Sequence, residues 1–460
     1  MYKTHCSSIR CSFRAISLFA LLRLVAVLVH ADSLDDWTGV YLKALRAENT
    51  APPLGSRNTA IYTVAVADAV NVVEHRWKPF LFTTNLTAPV DLEAVIAGAA
   101  YQVGLSLFPS RRADFDAQWQ RTLTASAASP AREAGFRLGF ASAATLLEAR
   151  SSDGSSTQVP YIPSDKPGAW RRTPPFFRPP ELPQWGRVKP FALTNGAQFR
   201  PPGPPQLGSA RFASDYNEVI SLGSKNSTNR TADQTQAALF WSDFSGTLTP
   251  PGHWTQITLA LARSNHLATV EKVRLLALVH IALADAGIAC WDAKYTYNFW
   301  RPVTVAARDD SGNPAIRMVS GWESLLPSPA FPDYVSGHST FTGAASEVLR
   351  RWFGRDDLAF SATSETVPGV TRYYSSLTAL GNEIGMSRIW GGIHFHSADV
   401  DGQELGHRIG DWVYERSLQP MATGGMGTNH LALFAGLLFI VLLLCIRGWI
   451  WSRKSGAQSR

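Results

Sequence analysis

A chain of 460 residues, 45% apolar and 17% charged, has the apolar mass for a large core and is not the composition of a disordered or fibrous protein. Its net charge of +7 would suit nucleic acid. However, eight Lys/Arg lie in residues 1–31 and 447–460, which hold no acid, and the rest of the chain sets 35 basic residues against 36 acidic ones. The excess belongs to the ends, where targeting and membrane insertion use it, so the body is not read as a nucleic-acid binder.

Residues 1–31 combine a basic start, an apolar run broken by Arg23 and a small-residue exit at Ala31, which predicts a signal peptide; an organellar transit peptide is the alternative. Helices are predicted over residues 58–75, 92–107 and 131–150 from their alanine-, valine- and leucine-rich text. From Ser152 to Pro205 the period is lost to proline, glycine and aromatic residues, which predicts a long irregular crossing that wraps the surface and shapes an entrance. Helical text resumes at Thr231, where Thr231 to Gln234 fits a capping box, continues from Glu271 to about Phe299, and starts again at Ser339. Strand-like alternation is nearly absent. The expected fold is all-α, helical bundles in one domain over residues 32–425 with its core motifs at 290–410.

Residues 430–451 are apolar for about one bilayer thickness, with Arg447 placed to snorkel, and the basic tail 452–460 follows. This predicts a transmembrane helix, a cytoplasmic tail and a body outside the cell or in a lumen, a single-pass type I arrangement. A lipid-anchor signal is the weaker reading because charged residues follow Trp451. Sequons at Asn85, Asn226 and Asn229 agree with a lumenal body. Cys6, Cys11 and Cys445 fall in the end segments, leaving Cys290 alone in the body, so no disulfide is expected there.

Three clusters carry the chemistry. Lys294 and Arg301, seven apart, are predicted to share a face of the long helix amid aromatic neighbours. Ser336-Gly337-His338 precedes a good helix, so its N–H groups and macrodipole favour an anion there. Arg388 and His394 flank Gly391-Gly392, which breaks the period and lets the two converge, with Arg388 near the end of one helix and His394 opening the next. His396 is read as a surface or supporting residue. Taken singly, each cluster has an ordinary structural account. Together they offer three cations, a hydroxyl, a glycine N–H and two imidazoles, an inventory suited to an oxyanion.

The three clusters resemble the pattern K-x6-R-P … P-S-G-H … S-R-x5-H of the vanadium-dependent haloperoxidase and type-2 phosphatidic acid phosphatase superfamily. The resemblance runs from about Ala60 to Tyr414 and includes Trp241-Ser-Asp243, Pro250-Pro-Gly-His-Trp254 and the text from Asp285 to Trp291. It is nearer the bacterial-type haloperoxidases than the multispan lipid phosphatases. Three features depart from the pattern: Val335 stands where proline is usual, Ala398 stands where an aspartate is usual, and there is one terminal span only. Asp399 or Asp401 is expected to supply the missing carboxylate.

The resemblance implies vanadate as cofactor, held by Lys294, Arg301, Ser336, Gly337 and Arg388 and bonded axially by His394. His338 is implied as the acid–base, with hydrogen peroxide, halide and an organic acceptor as partners. Trp291 and Phe331 are implied beside the halide, and Asp233 as a support for a site arginine, although a plain helix start explains Asp233 equally well. The same pocket in an acid phosphatase would take phosphate as substrate, with His394 as nucleophile. A non-catalytic oxyanion binder is a third reading, which leaves His338 without a task.

Overall fold

Helix starts fall where a side chain can accept an orphaned backbone N–H. Asp91, Ser129, Ser209, Thr231, Ser336 and Ser376 each accept from the N–H three residues on. They open the helices Leu92–Leu107, Pro130–Arg150, Ala210–Gly223, Ala232–Phe240, Gly337–Phe353 and Leu377–Trp390. Thr231 and Gln234 complete the expected capping box. The computed structural model describes residues 33–421 apart from Asp309. The expected signal peptide, transmembrane helix and basic tail lie outside the described residues.

Two helical bundles make the body. Ser33–Ala47, Pro52–Glu74, Leu92–Leu107 and Pro130–Arg150 pack as the first, and Thr269–Tyr297, Gly337–Phe353, Leu377–Trp390 and His396–Arg416 as the second. They meet where Pro52–Glu74 lies along Thr269–Tyr297, and one apolar core runs through both. Thr269–Tyr297 is long and apolar enough to cross a bilayer, but it is buried within the protein on nearly all sides and reads as the central core helix.

The second bundle closes tightly because glycines remove side chains where Gly337–Phe353 and His396–Arg416 touch. A Cβ on Gly406 would stand 2.3 Å from the Thr340 carbonyl oxygen, and one on Gly343 2.3 Å from that of Gln403. That close approach draws the start of Gly337–Phe353 towards the segment leading into His396–Arg416.

From Thr157 to Gly208 the chain forms no α-helix and only one short 3-10 turn, Trp185–Arg187. Its polar backbone is nevertheless paired. Trp170 donates to the Asn298 carbonyl at 2.7 Å, Glu181 to Ala330 at 2.8 Å, and Trp300 to Gly168 at 2.8 Å. The buried Asp285 carboxylate on the core helix accepts the N–H groups of Phe191, Ala192 and Leu193 at 2.7–2.8 Å. Asp68 in the first bundle does the same for Phe80, Leu81 and Phe82.

One small hairpin, Phe360–Thr363 with Thr371–Tyr374, adds strand that periodicity did not reveal. Four-residue strands are too short to carry a readable alternation. Asn85, Asn226 and Asn229 are all exposed.

Candidate active site

Lys294 and Arg301 converge, but not on one helix face. The core helix ends at Tyr297, Asn298 takes the left-handed conformation at φ +48°, and Arg301 is extended at φ −95°, ψ 155°. Pro302 explains the last point, since the residue before proline is pushed out of the helical region. Both cations are fully buried. The Lys294 ammonium spends its protons on the carbonyls of Pro332, Asp333 and Val335. Arg301 donates to Phe331 at 3.0 Å and to Ile393 at 2.6 Å. The two side chains thereby hold the loop that carries the second cluster against the loop that carries the third.

Ser336 caps Gly337–Phe353 as expected, with its oxygen accepting from the Ser339 hydroxyl at 2.8 Å, which leaves its own proton to donate. Gly337 and His338 begin that helix and open onto a cavity. The His338 ring hydrogen-bonds the Trp241 carbonyl, and its Nε2 has no partner. Arg388 Nη1 donates to the same Trp241 carbonyl at 2.7 Å, while its buried Nε is unpaired.

Gly391 and Gly392 end the helix before His394. Gly392 has φ +76°, and a Cβ there would meet the Gly223 carbonyl oxygen at 2.3 Å, so only glycine permits this turn. His394 does not itself open the next helix, which starts two residues later at His396. Freed from helical geometry, its ring turns inward and Nε2 accepts from Arg301 Nη1 at 3.1 Å. Its Nδ1 lies 3.1 Å from Asp333 Oδ1, a distance without good alignment, since neither atom is fully satisfied. These partners assign the proton to Nδ1 and the lone pair to Nε2.

Asp333 is thus the carboxylate beside His394, and the sequence pointed elsewhere. Asp399 instead accepts from Gln403 at 2.9 Å, and Asp401 from the Tyr334 hydroxyl at 2.7 Å. Asp333 lies 61 residues before His394, in a loop whose text marks it in no way. Asp233 also finds another partner: it pairs with Arg372 of the hairpin at 2.9 Å, on the surface, and touches no cluster arginine. The site-facing carboxylate of that region is Asp243, which sits 3.3 Å from His253 Nδ1 and lines the cavity. His396 is half-exposed and pairs with Glu218 at 2.9 Å.

The electrostatics are those of a charge deficit. Burial pushes Lys294 down to about 7, Arg301 to about 10 and Arg388 to about 9. Burial also holds His338 and His394 well below the ordinary imidazole value, and the nearby cations add to it. Asp333 is pushed up to about 7 by its own burial, against the pull of Arg301 and Lys294. Three buried cations with two imperfectly placed carboxylates form a site that an anion would complete. Unpaired Arg388 Nε and His338 Nε2, the free Ser336 proton and the helix start at Gly337 fit a tetrahedral or trigonal-bipyramidal oxyanion.

Above the cluster lies a cavity of about 440 Å³. Gly337, His338, Arg388 and His394 reach it, whereas Lys294, Arg301 and Ser336 stand behind it. Trp291 and Phe331 line it together, their ring centres 4.9 Å apart, with the Lys294 ammonium 4.8 Å from the Phe331 ring.

Comparison with known proteins agrees with this geometry. Residues 274–423, which take in most of the second bundle, match the family described as the VCPO second helical-bundle domain. Vanadium chloroperoxidase of Curvularia inaequalis is 29% identical over 262 residues, which are 48% of this chain and 43% of that protein. The chain thus spans under half the length of this curated relative. The crystal structure of a bacterial vanadium-dependent iodoperoxidase superposes with a TM-score of 0.77 at 26% identity, covering 85% of this chain and 97% of that one. A bacterial vanadium-dependent chloroperoxidase shares the fold with a TM-score of 0.62 at 18% identity, over 80% and 92% of the two chains. The chain belongs to the vanadium haloperoxidase superfamily.

Proposed function

We propose that this protein oxidises halide with hydrogen peroxide, using vanadate that Lys294, Arg301, Arg388, Ser336 and the Gly337 N–H would hold and to which His394 Nε2 would offer its lone pair. The observation that carries the reading is the charge deficit: three fully buried cations around a cavity edged by two neutral imidazoles. Vanadate, when bound, would supply a Lewis-acidic centre that polarises peroxide.

The chain's own groups do the rest. Arg388 and Arg301 supply charge-assisted donors, and Lys294, its protons engaged by carbonyls, contributes mainly charge. His338, neutral and with Nε2 open, takes a proton from incoming peroxide and returns it to the leaving oxygen. Asp333 holds the proton of His394 on Nδ1, keeping Nε2 available as a lone pair. Trp291 and Phe331, with the Lys294 charge behind them, give halide a weakly hydrated place beside a cation. The organic acceptor enters from the cavity. The enzyme is placed outside the cell or in a lumen, anchored by residues 430–451 as a single-pass type I protein and glycosylated at its exposed sequons.

The same donors and the same His394 lone pair would serve a phosphatase, in which His394 attacks phosphorus. One experiment separates the two. The full chain in lipid nanodiscs is supplied with vanadate, peroxide and bromide and the bromination of a phenol dye is followed, with p-nitrophenyl phosphate hydrolysed in parallel. Bromination that disappears in His394→Ala, with no ester cleavage, is the expected result. Ester cleavage without bromination overturns the proposal.

A further inference from the structure

The chain carries one short text twice. Lys78-Pro79-Phe80 follows the helix Pro52–Glu74, and Lys189-Pro190-Phe191 lies in the proline-rich crossing. A buried carboxylate between two alanines holds each of them, Asp68 on Pro52–Glu74 and Asp285 on Thr269–Tyr297. The bonding pattern is the same in both. One carboxylate oxygen accepts from the phenylalanine N–H at 2.7 Å, and the other accepts from the next two N–H groups at 2.8 Å. Two core helices thus pin two loops in the same way, and the loops meet, with the Phe80 and Phe191 ring centres 6.3 Å apart.

Between them lies a cavity of about 500 Å³ that shares no lining residue with the one above His338 and His394. Lys78, Arg150, Lys189 and Arg416 line it and no acidic residue does. Arg150 serves the wall: it pairs with Asp153 and donates to the Lys189 and Pro190 carbonyls. Arg416 stacks on Trp412 and pairs with Glu415. Among the described residues, the Lys78 and Lys189 ammonium groups form no ion pair. Their backbone N–H groups, bonded to the Gln419 and Asp153 carbonyls, fix where they stand. No imidazole or thiol lines this cavity, so it offers binding without chemistry.

Its place in the molecule indicates what would bind. Lys78 N–H donates to the Gln419 carbonyl at 2.8 Å and Met421 N–H to the Arg76 carbonyl at 3.0 Å, so the cavity borders the edge from which the chain continues towards residues 430–451. Nine extended residues cover at most about 30 Å, which keeps this edge near any bilayer those residues cross. Beside the cations, Leu81 and Met421 are 46% and 44% exposed. A basic, half-apolar recess next to a bilayer suits a lipid, whose phosphate meets the lysines while its glycerol and upper acyl carbons meet the apolar wall.

We propose that the recess between the two Lys-Pro-Phe loops binds the headgroup of an anionic phospholipid in the membrane that holds this chain. The inference rests on the proposed anchor at residues 430–451. The test titrates dihexanoyl phosphatidylglycerol into the full chain in maltoside micelles and records the heat of binding. One saturable site is expected, weakened at least tenfold in Lys78→Ala/Lys189→Ala, whose exposed side chains can be removed without touching the backbone bonds. Equal binding by that double variant overturns the inference, as does equal binding of dihexanoyl phosphatidylcholine. Lysine-dependent binding that inorganic phosphate displaces at equal concentration overturns it in favour of free phosphate as the ligand. Carbonate washing of membranes carrying the full chain tests the anchor separately. Retention in the membrane without phosphatidylglycerol binding sinks the recess alone, whereas release with lysine-dependent binding intact sinks the anchor and supports the recess.

Discussion

Among the described residues, two clusters of buried cations are given their counter-charges in opposite ways. Arg57 and Arg150, near the first bundle, share Asp153: Arg57 Nε lies 2.7 Å and Arg150 Nη2 2.9 Å from its Oδ2. Other donors go to the Arg150, Lys189 and Pro190 carbonyls and to the Asn58 side chain, and Arg150 Nε alone of this group is unpaired. Burial would raise the Asp153 carboxyl, yet Arg57 and its other partners hold it below its ordinary value. Lys294, Arg301 and Arg388 are as deeply buried, but Asp333, the carboxylate beside Lys294 and Arg301, is raised to about 7, and Arg388 makes no salt bridge within 4 Å among the described residues and keeps its Nε unpaired. A buried charge with its counter-charge in place is a structural element; a buried charge without one is poised for a ligand.

That contrast can be broken most forcefully at Asp153. Asp153→Ala strands two buried guanidiniums and is expected to lower unfolding stability by about 3–5 kcal/mol in denaturant titrations. Arg388→Met, which removes an uncompensated charge and keeps the volume, is expected to leave stability within about 1 kcal/mol or to raise it. Equal losses in the two variants would dissolve the distinction.

An added anion should distinguish them next. Orthovanadate or phosphate at a hundred times its Kd is expected to add about 2.7 kcal/mol to stability, an increment lost in Arg388→Met. Asp333→Asn tests the support beneath His394. It is expected to weaken vanadate affinity about 10–100-fold with the helical circular dichroism unchanged, and unaltered affinity would remove Asp333 from the site.

The pH dependence follows from the depressed imidazoles. His338 and His394 resist protonation in the folded chain, as does His280 at about 3 in the core. Their contribution is intact above the unfolded value near 6.5 and is lost as pH falls below it, by about 1.4 kcal/mol per pH unit for each imidazole. A bound anion favours the charged rings at the site, so phosphate should flatten the decline between pH 7 and 5. A slope indifferent to phosphate would place both rings outside the anion's reach. The smallest effect is expected at Asp233, whose exposed pairing with Arg372 limits Asp233→Asn to within about 1 kcal/mol and no change in anion affinity.

Much of this was legible in the sequence because it is local. Caps such as Thr231 with Gln234, and Ser336 ahead of its helix, announce helix starts through contacts three residues long. Lys294, Arg301, Ser336, Gly337, His338, Arg388 and His394 were all identifiable as an oxyanion inventory, and the structure brings them together. The spacing argument for Lys294 and Arg301 reached the right pair by the wrong geometry, because Asn298 and Pro302 end the helix between them.

What the sequence by itself determined is the helical class, the glycine turn at 391–392 and which polar side chains gather at the candidate site, all read from neighbours along the chain. Only tertiary structure decided that Asp333, not Asp399 or Asp401, faces His394, and that the Trp241 carbonyl joins Arg388 to His338. It also decided that the proline-rich crossing supplies Phe176 to the same cavity as Phe244. These pairings span 61 to 147 residues. No local period encodes them; they are set by the glycine-tight crossing of Gly337–Phe353 with His396–Arg416 and by the carbonyls that Lys294 and Arg301 clamp.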